Sequence, residues 1–250
     1  GHFESEQKIG NEFTVDLKIE NDCNRAAVSD NLTDALNYQM VYEIVKTEML
    51  VPSHLLENVA KTLRSAGCAP GWRNELLDIW SEPATQPLRV GAIERGVMRP
   101  LGLATRAVHL NAWSQQGHLW VAKRSLTKKT DPGLWDTLVG GLVGSQEPDD
   151  LALVRETDEE AGLDPHQIAD RTPLRTIHWM RRRIPEGYQY EQVLTCECVL
   201  AEGVTPANRD GEVMEIRCLA PAVILDMVRE GAFTIEASIV IVEDLLRRAA

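Results

Sequence analysis

The stretch Gly141 to Leu163, reading GLVGSQEPDDLALVRETDEEAGL, constrains this 250-residue chain more than any other. Pro148 followed by Asp149 and Asp150 predicts a helix start, and Gly162 predicts its C-terminal stop. At about 100° per residue, with Glu156 set at zero, Glu160 falls at about 40° and Glu159 at about 300°. Three carboxylates therefore share one arc of the helix, where i,i+3 and i,i+4 neighbours repel. Leu151, Val154, Thr157 and Ala161 fall on the other side and are expected to face the core. A hard divalent cation would turn the repulsion into a ligand set. Taken alone, E-x-x-E-E on a helix also describes a solvated acidic face.

The wider spacing decides between these readings. Gly141, five residues, Glu147, seven residues, Arg155-Glu156, two residues, Glu159-Glu160, one residue and Gly162 make seven fixed identities. Chance agreement is on the order of 10⁻⁹ per starting position at ordinary residue usage. This is the Nudix box, and the chain resembles the Nudix hydrolases, which cleave nucleoside diphosphates linked to another moiety. The resemblance implies an α/β fold, the Nudix α/β/α sandwich. It implies Mg²⁺ (or Mn²⁺) held by Glu156, Glu159, Glu160 and the carbonyl of Gly140, with Glu160 orienting or deprotonating the attacking water. It also implies Arg155 and Glu147 as an ion pair bracing loop and helix, with Gly141 and Gly162 as the structural glycines of the box. Thr157, usually aliphatic in that family, is a mild departure.

The flanks fit such a fold. Val108, Leu110 and Ala112 alternate as in a strand, and Leu119 to Lys123 forms a second after the Gln115-Gln116-Gly117 turn. This hairpin leads to Lys123-Arg124-Ser125-Leu126-Thr127-Lys128-Lys129-Thr130, four cations in eight residues. Next to the acidic helix, Arg124 and Lys128 are candidates for a diphosphate clamp; a solvated basic loop is the alternative. The Asp131-Pro132-Gly133-Leu134-Trp135 turn then enters a strand expected to end at Gly140. Thr176–Arg181 and Tyr188–Leu200 read as a strand pair with Leu194, Cys196, Cys198 and Leu200 buried. Val213–Leu219 reads as a further strand, and Pro221 opens a helix. Ser238 is expected to cap a last helix with Ile239, Val242, Leu245 and Leu246 inward. Arg181-Arg182-Arg183 is either a phosphate contact or a surface run, and Glu191 and Glu212 are candidates for an acidic group from outside the helix.

The front of the chain differs. Residues 1–63 carry 5 basic and 11 acidic groups and no tryptophan, while all six tryptophans lie at or beyond Trp72. Phe13, Val15, Leu17 and Ile19 alternate as a strand, Val41, Val45 and Met49 recur at helical spacing, and Pro52-Ser53 opens a helix with Leu55, Leu56, Val59 and Leu63 apolar. Gly67-Cys68-Ala69-Pro70-Gly71 marks a break. Glu4-Ser5-Glu6-Gln7-Lys8-Ile9-Gly10-Asn11, Asp30-Asn31-Leu32, Leu36-Asn37-Tyr38 and Leu55-Leu56-Glu57 resemble the first half of dihydroneopterin aldolase, the pterin-cleaving lyase of folate synthesis. That resemblance implies an α+β fragment of a strand plus two helices, with Glu6, Leu36, Tyr38, Leu56 and Glu57 at pterin-pocket positions. The half that supplies the family's catalytic lysine has no counterpart, so aldolase activity is not expected.

Gly71-Trp72-Arg73-Asn74-Glu75-Leu76, Ile93-Glu94-Arg95, Val108-His109-Leu110-Asn111 and Asp210-Gly211-Glu212-Val213 resemble the Nudix branch associated with thiamine pyrophosphokinase. That resemblance implies thiamine diphosphate or its oxidised analogues as substrate. The Arg124 to Trp135 approach is also similar to isopentenyl diphosphate isomerase, which needs a cysteine where this chain has Leu138-Val139-Gly140-Gly141. The expected organisation is a 1–63 aldolase-like fragment, a 64–104 tail of a Nudix-preceding domain and linker, and a 105–250 Nudix domain. A chimera with neither activity is the alternative, since half a core cannot bury its own face.

Composition narrows the partners. The net charge of −12 argues against nucleic acid, whose phosphates demand Lys and Arg stripes. Apolar runs such as Ile239 to Val242 fall far short of a bilayer span, and no secretory signal opens the sequence, so the expectation is a cytoplasmic protein with no membrane partner. Its partner is a small-molecule diphosphate substrate, with a homo-oligomer left open. The five cysteines form no C-x-x-C pair and are expected as buried, reduced thiols.

Overall fold

A computed structural model describes residues 43–44, 55–69, 71–81 and 88–249. The expected strand from Phe13 to Ile19, the helical positions Val41, Val45 and Met49, and Cys23 lie outside them. The chain divides into two compact units, Gly1–Ala104 with Arg181–Tyr190, and Thr105–Met180 with Glu191–Ala250.

In the leading unit, helix α1 (Leu55–Ser65) buries Val59, Ala60 and Leu63, the apolar spacing its sequence carries. Gly67 ends it at φ 75°, with Cys68 N–H donating to the Leu63 carbonyl at 2.9 Å, which is why the chain breaks there. Strands β1 (Leu76–Trp80) and β2 (Arg89–Glu94) pair antiparallel with Leu77 opposite Ile93, and the short helix α2 (Arg95–Met98) follows. Buried Glu94 accepts from Gly96 N–H at 3.2 Å and from Arg73 N–H at 2.7 Å, capping α2.

The second unit is built on a mixed sheet. Its strands are β3 (Ala104–Trp113), β4 (Leu119–Arg124), β5 (Trp135–Thr137), β6 (Val139–Leu142), β7 (Arg175–Ile184), β8 (Gly187–Val199) and β9 (Val213–Leu219), of which Ala104 and residues 181–190 of β7 and β8 are counted with the first unit. The order is β5-β4-β3-β8-β7, with β6 also on β3 and β9 also on β4. Gly140 therefore sits inside β6, opposite His109, and not at a strand end as expected; the chain breaks its pairing at Leu138 and transfers from β4 to β3.

Helices cover both faces, as the α/β/α sandwich requires. On one face, Val108, Leu110 and Ala112 of β3 meet Ala152, Leu153 and Ala161 of helix α3 (Asp149–Ala161). On the other, Trp113, Leu119 and Trp135 pack with Ile224 of α4 (Pro221–Arg229) and Ala237 and Ile241 of α5 (Ile235–Ala249). Asn111 Nδ2 (3.2 Å), Trp113 Nε1 (2.8 Å), Arg247 Nη2 (3.2 Å) and Arg248 Nε (3.2 Å) all donate to Asp244, which is 1% exposed.

Helix α5 starts earlier than Ser238. Thr234 Oγ1 accepts from Ala237 N–H at 3.1 Å, so the cap lies four residues upstream. The buried stripe is correspondingly Ala237, Val240, Ile241 and Asp244; Ile239 and Leu245 are partly buried, and Leu246 faces solvent. Cys68, Cys196 and Cys198 are buried free thiols, and burial pushes Cys196 up to about 12 and Cys198 up to about 11.

Candidate active site

Helix α3 has the boundaries its sequence predicts. Pro148 precedes its first residue, and Gly162 follows in the left-handed region at φ 63°, donating to the Asp158 carbonyl at 3.0 Å. A side chain at Gly162 would also collide with the Ala207 carbonyl. The core side of the helix differs from the expectation. Leu151 is exposed and Val154 only partly buried, while Ala152, Leu153, Thr157, Glu160 and Ala161 are buried. The sheet contacts the helix on the arc next to the carboxylates rather than directly opposite them. The acidic face is therefore graded: side-chain exposure falls from 45% at Glu159 to 14% at Glu156 and 8% at Glu160.

Glu160 is the inner member. Its Oε2 accepts from Gly140 N–H at 2.9 Å, and its Oε1 accepts from Lys128 Nζ at 3.2 Å. Burial pushes its pKa up to about 7, against the pull of Lys128 and the Gly140 N–H. Glu156 lies over Gly141 so closely that any Cβ there would strike its carboxylate. Arg155 Nη1 donates to Glu156 at 2.7 Å and to Glu159 at 3.2 Å.

The expected brace is present. Arg155 donates through Nε to Glu147 Oε1 at 2.9 Å and through Nη2 to Glu147 Oε2 at 3.1 Å, and also reaches the Leu142 carbonyl at 3.3 Å. These bonds hold the Glu147 carboxyl below its usual range. Glu147 Oε2 also accepts from Gly144 N–H at 2.9 Å, so one two-pronged pair ties β6, the loop and the helix together.

Two further carboxylates meet Glu160. Oxygen atoms of Glu160, Asp210 and Glu212 lie within 4.8 Å of one another. Main-chain bonds from the end of α3 place the loop that carries them: Ala207 N–H donates to Ala161 O at 2.8 Å and Arg209 N–H to Glu159 O at 3.0 Å. Arg209 also pairs with Asp158. Beyond the loop, Val213 opposes Arg124 across β9 and β4, and Ser125 N–H donates to the Glu212 carbonyl at 2.9 Å. Glu212 thus joins the cluster. Glu191 does not: it is buried and accepts from Thr105 Oγ1 at 2.8 Å. Asp210, one of the four residues of the 210–213 motif, is a site residue that the sequence reading did not single out; its signal was an acidic pair spaced i,i+2 around a glycine.

The two cations of the expected clamp are both engaged with acids. Lys128, 13% exposed at its side chain, reaches Glu160 and also pairs with Glu212. Burial works to lower the Lys128 ammonium, but Glu160 and Glu212 outweigh it and hold it above the usual lysine value. Arg124 donates from Nε and Nη2 to the Thr130 carbonyl, at 3.2 and 2.9 Å, and from Nη1 to Asp136 at 2.9 Å. In this arrangement Arg124 closes the loop that carries Lys128. Arg181 stacks on Tyr190, with 5.0 Å from Cζ to the ring centroid, and Arg182 Nε donates to Gln189 at 2.6 Å. Of the pterin-pocket positions, Glu6, Leu36 and Tyr38 lie outside the described residues, as does the side chain of Leu56 on α1. Glu57 is exposed and pairs with Lys61 at 3.5 Å.

The donor set suits a hard divalent cation. Glu160, Asp210 and Glu212 are all carboxylates and their oxygens gather in one place, Lys128 pairs with two of them, and Glu156 and Glu159, expected beside Glu160 as ligands, lie outside that group and pair with Arg155.

Comparison with known proteins agrees with the fold and the family. The NUDIX domain model matches residues 103–237, and the chain belongs to that family. A dihydroneopterin aldolase model matches residues 1–71. Nudix hydrolase 24, chloroplastic, of Arabidopsis thaliana is 33% identical over 196 residues, covering 76% of this chain and 52% of that protein. Nudix hydrolase 20, chloroplastic, of the same plant is 32% identical over 196 residues, covering 76% and 51%. The chain thus spans about half the length of these relatives. The crystal structure of DR0079 from Deinococcus radiodurans shares the fold at a TM-score of 0.50 and 24% identity, covering 68% of this chain and 98% of that one. Among the described residues, no helix is long and apolar enough to cross a membrane.

Proposed function

We propose that the chain hydrolyses a diphosphate-containing small molecule with the help of a divalent cation, Mg²⁺ or Mn²⁺. Glu156, Glu159 and Glu160, the Gly140 carbonyl, and Asp210 with Glu212 would hold the cation. When bound, it supplies Lewis acidity to the phosphoryl oxygens and makes water a better nucleophile. The observation that carries this reading is Glu160, a buried carboxylate fixed by a backbone N–H and facing two further carboxylates.

The chain's own residues do the rest. Glu160 accepts the proton of the attacking water as the water oxygen bonds to phosphorus and the P–O bond to the leaving phosphate breaks. Lys128 contacts the diphosphate, and Arg124 contributes by holding the Lys128 loop in place. Arg155 and Glu147 keep the loop and helix in register, while Gly141 and Gly162 leave room for Glu156 and the 207–212 loop. The substrate we favour is thiamine diphosphate or an oxidised analogue, on the strength of the 71–76, 93–95, 108–111 and 210–213 motifs. The domain plan is a 1–63 fragment, a 64–104 connection and a 105–250 catalytic domain. A cytoplasmic setting is part of this reading and accords with the free thiols of Cys196 and Cys198.

The test is phosphate or monophosphate release with Mg²⁺ from oxidised thiamine diphosphates, thiamine diphosphate, ADP-ribose and dihydroneopterin triphosphate, with Glu160→Gln as control. Metal-dependent turnover that collapses in the variant supports the reading and ranks the substrates. A folded protein that turns over none of them sinks it. Dihydroneopterin should release no glycolaldehyde.

A further inference from the structure

Lys128 stands among the oxygens that the proposed metal site needs. Its Nζ is 3.2 Å from Glu160 Oε1 and paired with Glu212 Oε2, two of the three carboxylates whose oxygens gather within 4.8 Å. An ammonium and a divalent cation both seek the lone pairs of these carboxylates, and two positive ions held at contact distance of one another repel. We propose that Lys128 is a tethered cation that competes with the divalent ion for Glu160 and Glu212, and thereby sets the metal affinity of the site. This rests on the metal-dependent reading above.

The anchoring of Lys128 makes such an exchange feasible. Its backbone is held near the cluster, with Lys128 N–H donating to the Ser125 carbonyl at 3.1 Å and Ser125 N–H donating to the Glu212 carbonyl at 2.9 Å. The neighbouring Leu126 is 71% exposed, so the turn has solvent beside it, and the lysine stem is flexible. Displaced, the ammonium stays on a short leash beside the metal, where the substrate's phosphate oxygens arrive. The same residue then guards the empty carboxylates and, once the metal enters, becomes available to the diphosphate.

The experiment is calorimetric titration of Mn²⁺ into the full chain, as wild type, Lys128→Met and Glu160→Gln. Lys128→Met should bind Mn²⁺ about tenfold more tightly or better, in the range of ordinary coupling between sites. Unchanged or weaker binding overturns the inference. A second readout needs no variant: acetylation of Lys128 by acetic anhydride, followed by mass spectrometry with Lys123 as internal reference, should speed up severalfold at saturating Mn²⁺. An unchanged rate overturns the inference as well. If wild type binds no Mn²⁺, or binds it equally in Glu160→Gln, the metal reading itself fails; wild-type binding lost in Glu160→Gln, without tightening in Lys128→Met, fails this inference alone.

Discussion

The central sheet carries a buried carboxylate against each face, and the two are handled in opposite ways. Asp244, on the α5 side, receives four donors, two from the sheet and two arginines from its own helix. Glu160, on the α3 side, has one backbone N–H and one lysine, faces two further acids, and its pKa is pushed up to about 7. A carboxylate saturated by fixed donors is a structural pin. One left short of positive charge is held in readiness for a ligand that brings it. The difference separates what the fold needs from what the chemistry needs.

Substitutions can break that contrast. Glu160→Gln should lower kcat on the active substrate by about a thousandfold or more, the scale of losing a base together with metal charge, measured as phosphate release. The same change should raise the melting temperature of the protein in EDTA at pH 8. Asp244→Ala should do the reverse: about 2–4 kcal/mol of stability lost in urea unfolding, because the buried Asn111 and Trp113 donors lose their acceptor, with kcat of the folded fraction retained. If Asp244→Ala abolished turnover at full stability, the contrast would collapse.

Arg155→Lys sharpens it from the side of the brace. A point charge cannot make the two-pronged bond to Glu147, and kcat/KM should fall by about 10- to 100-fold, the usual cost of disturbing a ligand's supporting partner. The smallest effect concerns pH. Because the pKa of Glu160 is raised on folding, from 4.5 to about 7, the folded state binds more protons than the unfolded one between those values. Stability of the cation-free protein should therefore fall as pH rises from about 4.5 to about 7, and level off above. Melting curves of wild type and Glu160→Gln across that window isolate this contribution as the wild-type slope that the variant lacks.

The sequence disclosed the parts of this site that are local. The ends of α3 were legible because Pro148 and Gly162 act on their immediate neighbours, and the Arg155–Glu147 pair because it spans one loop and two helical turns. The gradation from Glu159 to Glu160 was not, because a helical wheel gives angles between residues but not the direction of the sheet; Leu151 was assigned inward for that reason. The α5 cap was misplaced because Thr234 and Ser238 are equally good candidates by composition, and tertiary packing chose the earlier one. Neither Asp210 as a site residue nor the pairing of Lys128 with Glu160 and Glu212 is legible in the sequence. Both depend on the pairing of β4 with β9, a contact between segments about 90 residues apart that no local pattern encodes.

The bonds from Ala207 and Arg209 to the last turn of α3 have a dynamic consequence. Those amides take up carbonyls that a helix end would otherwise leave to water, so fraying of the helix and release of the 207–212 loop are one opening event. Exchange of the Ala207 and Arg209 amide protons with deuterium should therefore follow a single protection factor, and that factor should rise when a cation clasps Glu160, Asp210 and Glu212 together.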